Sequence, residues 1–168
     1  MFSQASENAL RALTILAGCE QGQWVLAHDL AELLNIKVHY LAKVLQTLAR
    51  RGVLESHRGR QGGFRLARPA QTITLWDVVA ELDDVNKLEG CVMGEDTCSD
   101  ENACPLHTLW KDLRTKFKEK LQSTTLQQLA DFPRLDQMTC SCPDRNMPGH
   151  ALMCRERQLG ITAQKSAT

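Results

Sequence analysis

The sequence predicts a mainly α-helical fold with a small β-wing: a winged helix-turn-helix domain followed by a long dimerisation helix. Three features carry that expectation. A basic segment reads as two short helices joined by a tight turn, and the glycine-rich stretch directly after it alternates apolar and polar residues as a hairpin does. Further along, apolar residues recur at helical spacing from Leu106 to Leu121.

Over 5–19, Ala9, Leu10, Leu13, Leu16 and Ala17 share one helical face, which ends before the turn-forming pair Gln21-Gly22. A short helix is expected over about 27–34, with Asn35 as the turn residue. A third helix over about 38–51 turns Leu41, Val44, Leu45 and Leu48 inward and stops at Gly52. Two helices joined by a few residues, the second one basic, make the helix-turn-helix pattern. The strands of the wing are expected at Val53–His57 and Phe64–Ala67, with Arg58 and Arg60 at the tip between them. A further short helix is expected over 75–82, an acidic glycine-containing loop over about 83–104, and the long helix from Pro105. The chain therefore divides into a DNA-binding domain (1–84), a cysteine loop (85–104), the dimerisation helix with a short following helix (105–131) and a tail (132–168). The tail loses periodicity and is expected to be disordered.

Charge is segregated although the net charge is zero. Residues 37–68 hold eight lysines and arginines against Glu55 alone, and residues 77–102 hold nine acids against Lys87. A basic block inside a neutral chain suits one face made for a polyanion. Lys37, His39, Tyr40 and Lys43 fall on the outer side of the third helix, where base edges and phosphates of double-stranded DNA would be met. Arg58 and Arg60 suit the narrow minor groove beside it. With aromatics at 5%, the core must be mostly aliphatic. No run approaches the roughly 18 apolar residues of a membrane span. The start MFSQASENALRALTIL lacks a basic region and a cleavage site, so no signal peptide is expected and the location read from it is cytoplasmic. No nucleophile–base pair, phosphate loop or dinucleotide fingerprint is present, which argues against an enzyme.

Seven cysteines in a reducing compartment suggest ligands or redox groups rather than a disulfide framework. Cys19 reads as a small core residue on the first helix. Cys91, Cys98 and Cys104 are separated by six and then five residues, with His107 three positions later. Free thiols, a structural zinc and an iron–sulfur cluster all remain open on that pattern. Zinc sites commonly use tighter pairs, and the wider gaps favour a loop wrapped around a larger object. A helix starting near Pro105 would add its positive dipole end beside Cys104. Cys140, Cys142, His150 and Cys154 form a second, looser group in the tail.

The first helix, the stretch NIKVHYLAKVLQTLARRGVLESHRGRQGGFRL, the cysteine loop and the following CPLHTLW together resemble the Rrf2 family of bacterial regulators over about residues 2–131. That resemblance implies a winged-helix homodimer on a palindromic operator, with the long helix crossing to the partner. It also implies that Cys91, Cys98 and Cys104 hold an iron–sulfur cluster. In IscR-like members the fourth ligand is a histidine at the position of His107, on a 2Fe–2S centre. In NsrR-like members an acid from the first helix of the other subunit serves a 4Fe–4S centre, and Glu7 stands there. His107 with 2Fe–2S is the preferred assignment and Glu7 with 4Fe–4S the alternative. The first cysteine gap is one residue longer than the family's usual five, and Ala42 replaces an acid that IscR uses to discriminate operators. The expected function is therefore a repressor or activator that senses iron–sulfur status, redox state or nitric oxide. The alternatives are a zinc- or thiol-based regulator of the same fold, or a cluster-bearing electron carrier.

Overall fold

The computed structural model describes residues 2–20, 22–59, 62–83, 90–93, 98–101 and 103–132. Arg60 of the expected wing tip, part of the cysteine loop, and Cys140, Cys142, His150 and Cys154 of the tail lie outside these residues.

Helix α1 spans Gln4–Ala17. The Ser3 hydroxyl caps it by accepting the Ser6 N–H at 3.2 Å. Ala9, Ala12, Leu13 and Leu16 form its buried face. The helix stops at Ala17, short of the expected residue 19, so Cys19 follows the helix instead of lying on it. Its thiol donates back to the Ile15 carbonyl at 3.4 Å, and burial raises its pKa above the usual thiol range.

Helices α2 (Ala27–Leu33) and α3 (Val38–Arg50) form the helix-turn-helix. Asn35 takes the left-handed conformation (φ 53°), as a turn residue there must. The N–H groups of Asn35 and Ile36 return to the carbonyls of Glu32 and Ala31 at 3.1 and 2.8 Å, which closes α2. Gly52 (φ 76°) ends α3 the same way: Gly52 and Val53 donate to Ala49 and Leu48. The inner residues of α3 are Leu41, Val44, Leu45 and Leu48, as expected.

Strands β1 (Leu54–His57) and β2 (Gly63–Leu66) pair antiparallel, with Leu54 opposite Leu66 and His57 opposite Gly63. Val25, just before α2, adds a bridge that the alternation did not reveal. It exchanges bonds of 3.0 and 2.8 Å with Phe64 and ties the wing to the helix-turn-helix. This close approach requires Gly63: its φ is +130°, and a Cβ there would stand 2.2 Å from the Val25 carbonyl oxygen.

A 3₁₀ turn at Ala70–Thr72 leads into α4 (Leu75–Leu82), whose start is fixed by a reciprocal capping box of Thr74 and Asp77. Helix α5 spans His107–Ser123, and α6, capped by Thr125 and Gln128, spans Leu126–Ala130. Between them the chain returns to its own domain: Leu75 N–H donates to Thr124 O and Leu126 N–H to Ile73 O, each at 2.9 Å. Leu126 then fills the aliphatic core with Leu13, Leu30, Leu41, Leu45, Leu48, Ile73 and Val78.

The apolar stripe of α5 has two destinations. Phe117 stacks near Phe2 (ring centroids 5.8 Å apart) and Leu121 is buried, so the C-terminal half packs on its own chain. Leu109 and Leu113, 60% and 52% exposed, face outward with Leu106. Leu109 and Leu113 are thus the part of the stripe left open to a second copy. Leu121 leads into the return bridge at Thr124.

Candidate functional site

Two sites come from the fold, and the first is the outer face of α3 with the wing. Lys37 stands at the N-cap of α3, and His39, Tyr40 and Lys43 are exposed along its first two turns. Arg58 is exposed at the end of β1. The structure also sorts the basic block. Arg51 pairs with Glu81 at 2.9 Å, Arg65 with Glu55 at 2.6 Å and Arg68 with Asp77 at 2.8 Å. Arg65 further lies 4.4 Å from the centre of the Trp24 ring and donates to the Gly22 carbonyl. These three cations brace the domain. Lys37, Lys43 and Arg58 have no ion pair among the described residues and leave their charge to an outside anion.

The second site lies where the cysteine loop meets α5. Helix α5 begins at His107, two residues later than expected, because Cys104, Pro105 and Leu106 form a turn closed by the His107 N–H on the Cys104 carbonyl (2.9 Å). His107 is only 6% exposed. Its Nδ1 stands 3.2 Å from the Cys98 sulfur. Its Nε2 stands 2.9 Å from Asp100 Oδ1. A carboxylate can only accept, so His107 donates to it from Nε2, and Nδ1 is left facing the Cys98 sulfur. Asp100 is also held by the Lys111 ammonium at 2.8 and 2.9 Å. The hydrogen bond from Lys111, and then that from His107, lower the pKa of the Asp100 carboxyl. One turn after His107, Trp110 Nε1 donates to the Gly90 carbonyl at 2.8 Å and fixes the residue before Cys91.

The structure thus brings Cys98 and His107 together, with Cys104 one turn before His107 and Cys91 beside the residue clasped by Trp110. All three cysteines are partly buried and unbridged. Among the described residues, no three His, Cys, Asp or Glu side chains converge on the position of one ion. Glu7 is exposed in the first turn of α1. Asp100, Lys111 and Trp110 escaped sequence reasoning as parts of this site. The spacing of Lys111, one turn beyond His107 on the same helix face, is the signal that could have found it.

Similarity to known proteins agrees with this architecture. Residues 2–131 match the Rrf2 family, described as iron-dependent transcriptional regulators. A protein of Aquifex aeolicus assigned to the HTH-type transcriptional regulators is 34% identical over 134 residues, covering 79% of this chain and 92% of its own. The HTH-type transcriptional regulator IscR of Vibrio vulnificus is 32% identical over 121 residues, covering 72% of this chain and 71% of its own. Among solved structures, CymR, the global cysteine regulator of B. subtilis, superposes with a TM-score of 0.67 at 26% identity, covering 79% of this chain and 97% of that one. Among the described residues, no helix is long and apolar enough to cross a membrane. With the winged helix, its free cations and a match across three quarters of its length, the chain belongs to the Rrf2 family and is a transcription regulator, not an enzyme.

Proposed function

We propose that this regulator is a cytoplasmic bacterial homodimer that binds a palindromic operator under the control of an iron–sulfur cluster. Cys91, Cys98, Cys104 and His107 would hold the cluster as a 2Fe–2S centre. The observation that carries the reading is the pairing of Cys98 with a buried His107 at the head of α5. Two donors 3.2 Å apart fit one metal, since sulfur and nitrogen on a tetrahedral ion stand about 3.6 Å apart. The centre would supply an oxidisable, nitric oxide-reactive group whose ligands are released when it is lost.

The chain's own residues convert that loss into a change of DNA affinity. His107 and Trp110 clasp the loop to the first turn of α5. The same helix offers Leu106, Leu109 and Leu113 to the second subunit and packs on α4 of its own domain, with Lys118 above the Trp76 ring. Release of the clasp alters how α5 meets its partner, and with it the distance between the two α3 helices. Lys37, His39, Tyr40 and Lys43 of each α3 enter the major groove, and Arg58 and Arg60 enter the minor groove beside it.

The Cys98–His107 pair also favours a second reading, a regulator of the same fold that uses these thiols directly or binds zinc. Anaerobic purification with iron, sulfide and zinc analysis separates the two. A brown protein with about two irons and two sulfides per chain supports the cluster. A colourless protein, with zinc or without metal, refutes it.

A further inference from the structure

We propose that Asp100 is the positioning residue of the cluster site: it fixes His107 in the Nε2–H form, so that Nδ1 is the ligating nitrogen. The inference rests on the cluster reading above and goes beyond it, by naming the atom that binds and the group that selects it.

The geometry points one way. The two nitrogens of His107 have different neighbours: Nδ1 faces the Cys98 sulfur at 3.2 Å, and Nε2 faces Asp100 Oδ1 at 2.9 Å. A ligating imidazole gives its lone pair to the metal through one nitrogen and keeps its hydrogen on the other. A carboxylate beside Nε2 accepts that hydrogen and leaves the lone pair on Nδ1, on the side of the thiol. A ligating histidine that donates its second N–H to a carboxylate is held in both tautomer and ring orientation.

Asp100 is itself held in place. Its side chain is 75% exposed and lies in a loop, so without a brace it would move. Lys111 supplies the brace, donating to both carboxylate oxygens. Because Lys111 follows His107 by four residues on α5, one rigid element carries both the ligand and the anchor of the residue that orients it. Only Asp100 comes from the loop. Placing the loop carboxylate between two groups of one helix face makes ring orientation independent of the rest of the loop.

The test uses the anaerobic, cluster-loaded, full-length protein with histidine labelled by ¹⁵N at Nδ1 alone. Pulsed electron paramagnetic resonance of the reduced centre should show a strongly coupled ¹⁵N in the wild type. Asp100→Ala should lose or split that coupling and release iron to a chelator roughly 10–100-fold faster. Asp100→Asn keeps an acceptor oxygen and should retain the Nδ1 coupling, a rescue that a merely structural role would not produce. Lys111→Ala should give an intermediate loss rate. If Asp100→Ala holds no cluster, nitrogen-correlated NMR of the cluster-free proteins decides the matter. Wild-type His107 should be the Nε2–H tautomer and the variant a mixture.

Unchanged coupling and chelator resistance in Asp100→Ala would overturn the proposal and leave the cluster reading intact. An Nδ1–H tautomer in the cluster-free wild type would do the same. A wild-type cluster without any histidine nitrogen coupling would overturn it and move the fourth ligand to Glu7. A wild type without a cluster would overturn both.

Discussion

Replacing Gly63 by alanine tests the join between wing and helix-turn-helix most severely. The added Cβ would stand 2.2 Å from the Val25 carbonyl oxygen and 2.6 Å from its carbon, both backbone atoms that cannot swing aside as a side chain would. The backbone at φ +130° is a conformation that L side chains rarely adopt, and holding one there costs about 1–3 kcal/mol. Relief of the clash means separating Val25 from Phe64, which breaks the bonds of 2.8 and 3.0 Å between them, at about 1 kcal/mol each. The expected loss is therefore roughly 3–5 kcal/mol, a large share of the about 5–15 kcal/mol that stabilises an ordinary domain. Urea unfolding of the cluster-free protein, followed by far-ultraviolet circular dichroism, would measure it. A midpoint shift that, multiplied by an unchanged slope, amounts to less than about 0.5 kcal/mol would contradict this expectation. Gly63 would then not be held against Val25 in solution.

Three further outcomes are expected. Arg58→Ala should weaken operator binding by about 1–3 kcal/mol at fixed salt, with an unchanged thermal midpoint; an unchanged gel-shift titration removes the wing from the DNA interface. Leu113→Asp should give monomers in sedimentation, because the charge lands on the outward apolar face of α5; a wild-type monomer at micromolar concentration rules out the dimer. For Cys19, burial holds the proton on the folded thiol to higher pH than in the unfolded chain, so the folded state binds more protons between the two pKa values. Stability should then fall as pH rises through the usual thiol range. Cys19→Ala should flatten that part of the pH profile, and an identical profile would show the thiol is not buried as described.

The helix-turn-helix and the wing were legible because their signals are local. The inner leucines of α3, Asn35 and Gly52 lie within one or two turns of the structure they specify. The long helix was legible as a helix, but not in where its faces go. Periodicity reports that Leu109 and Leu121 are apolar on related faces; it cannot report that Thr124 and Leu126 bridge back to Ile73 and Leu75, far off in sequence. The same limit applied to Val25, a single bridging residue without alternation around it. In the cysteine loop, spacing gave Cys98 and His107 as candidates. The contacts of His107 with Asp100, and of Trp110 with Gly90, depend on how the loop folds over α5, and no periodicity encodes that.

Control by the cluster means that cluster and DNA occupancy are coupled. It is tested most directly by fluorescence anisotropy, using an operator selected from a random duplex library and titrated anaerobically with cluster-loaded and chelator-stripped protein. Coupled sites typically differ by about 1–3 kcal/mol, so the two forms should differ in affinity by roughly 5–150-fold at the same salt concentration. Equal affinities, with both forms folded and dimeric, would contradict the account.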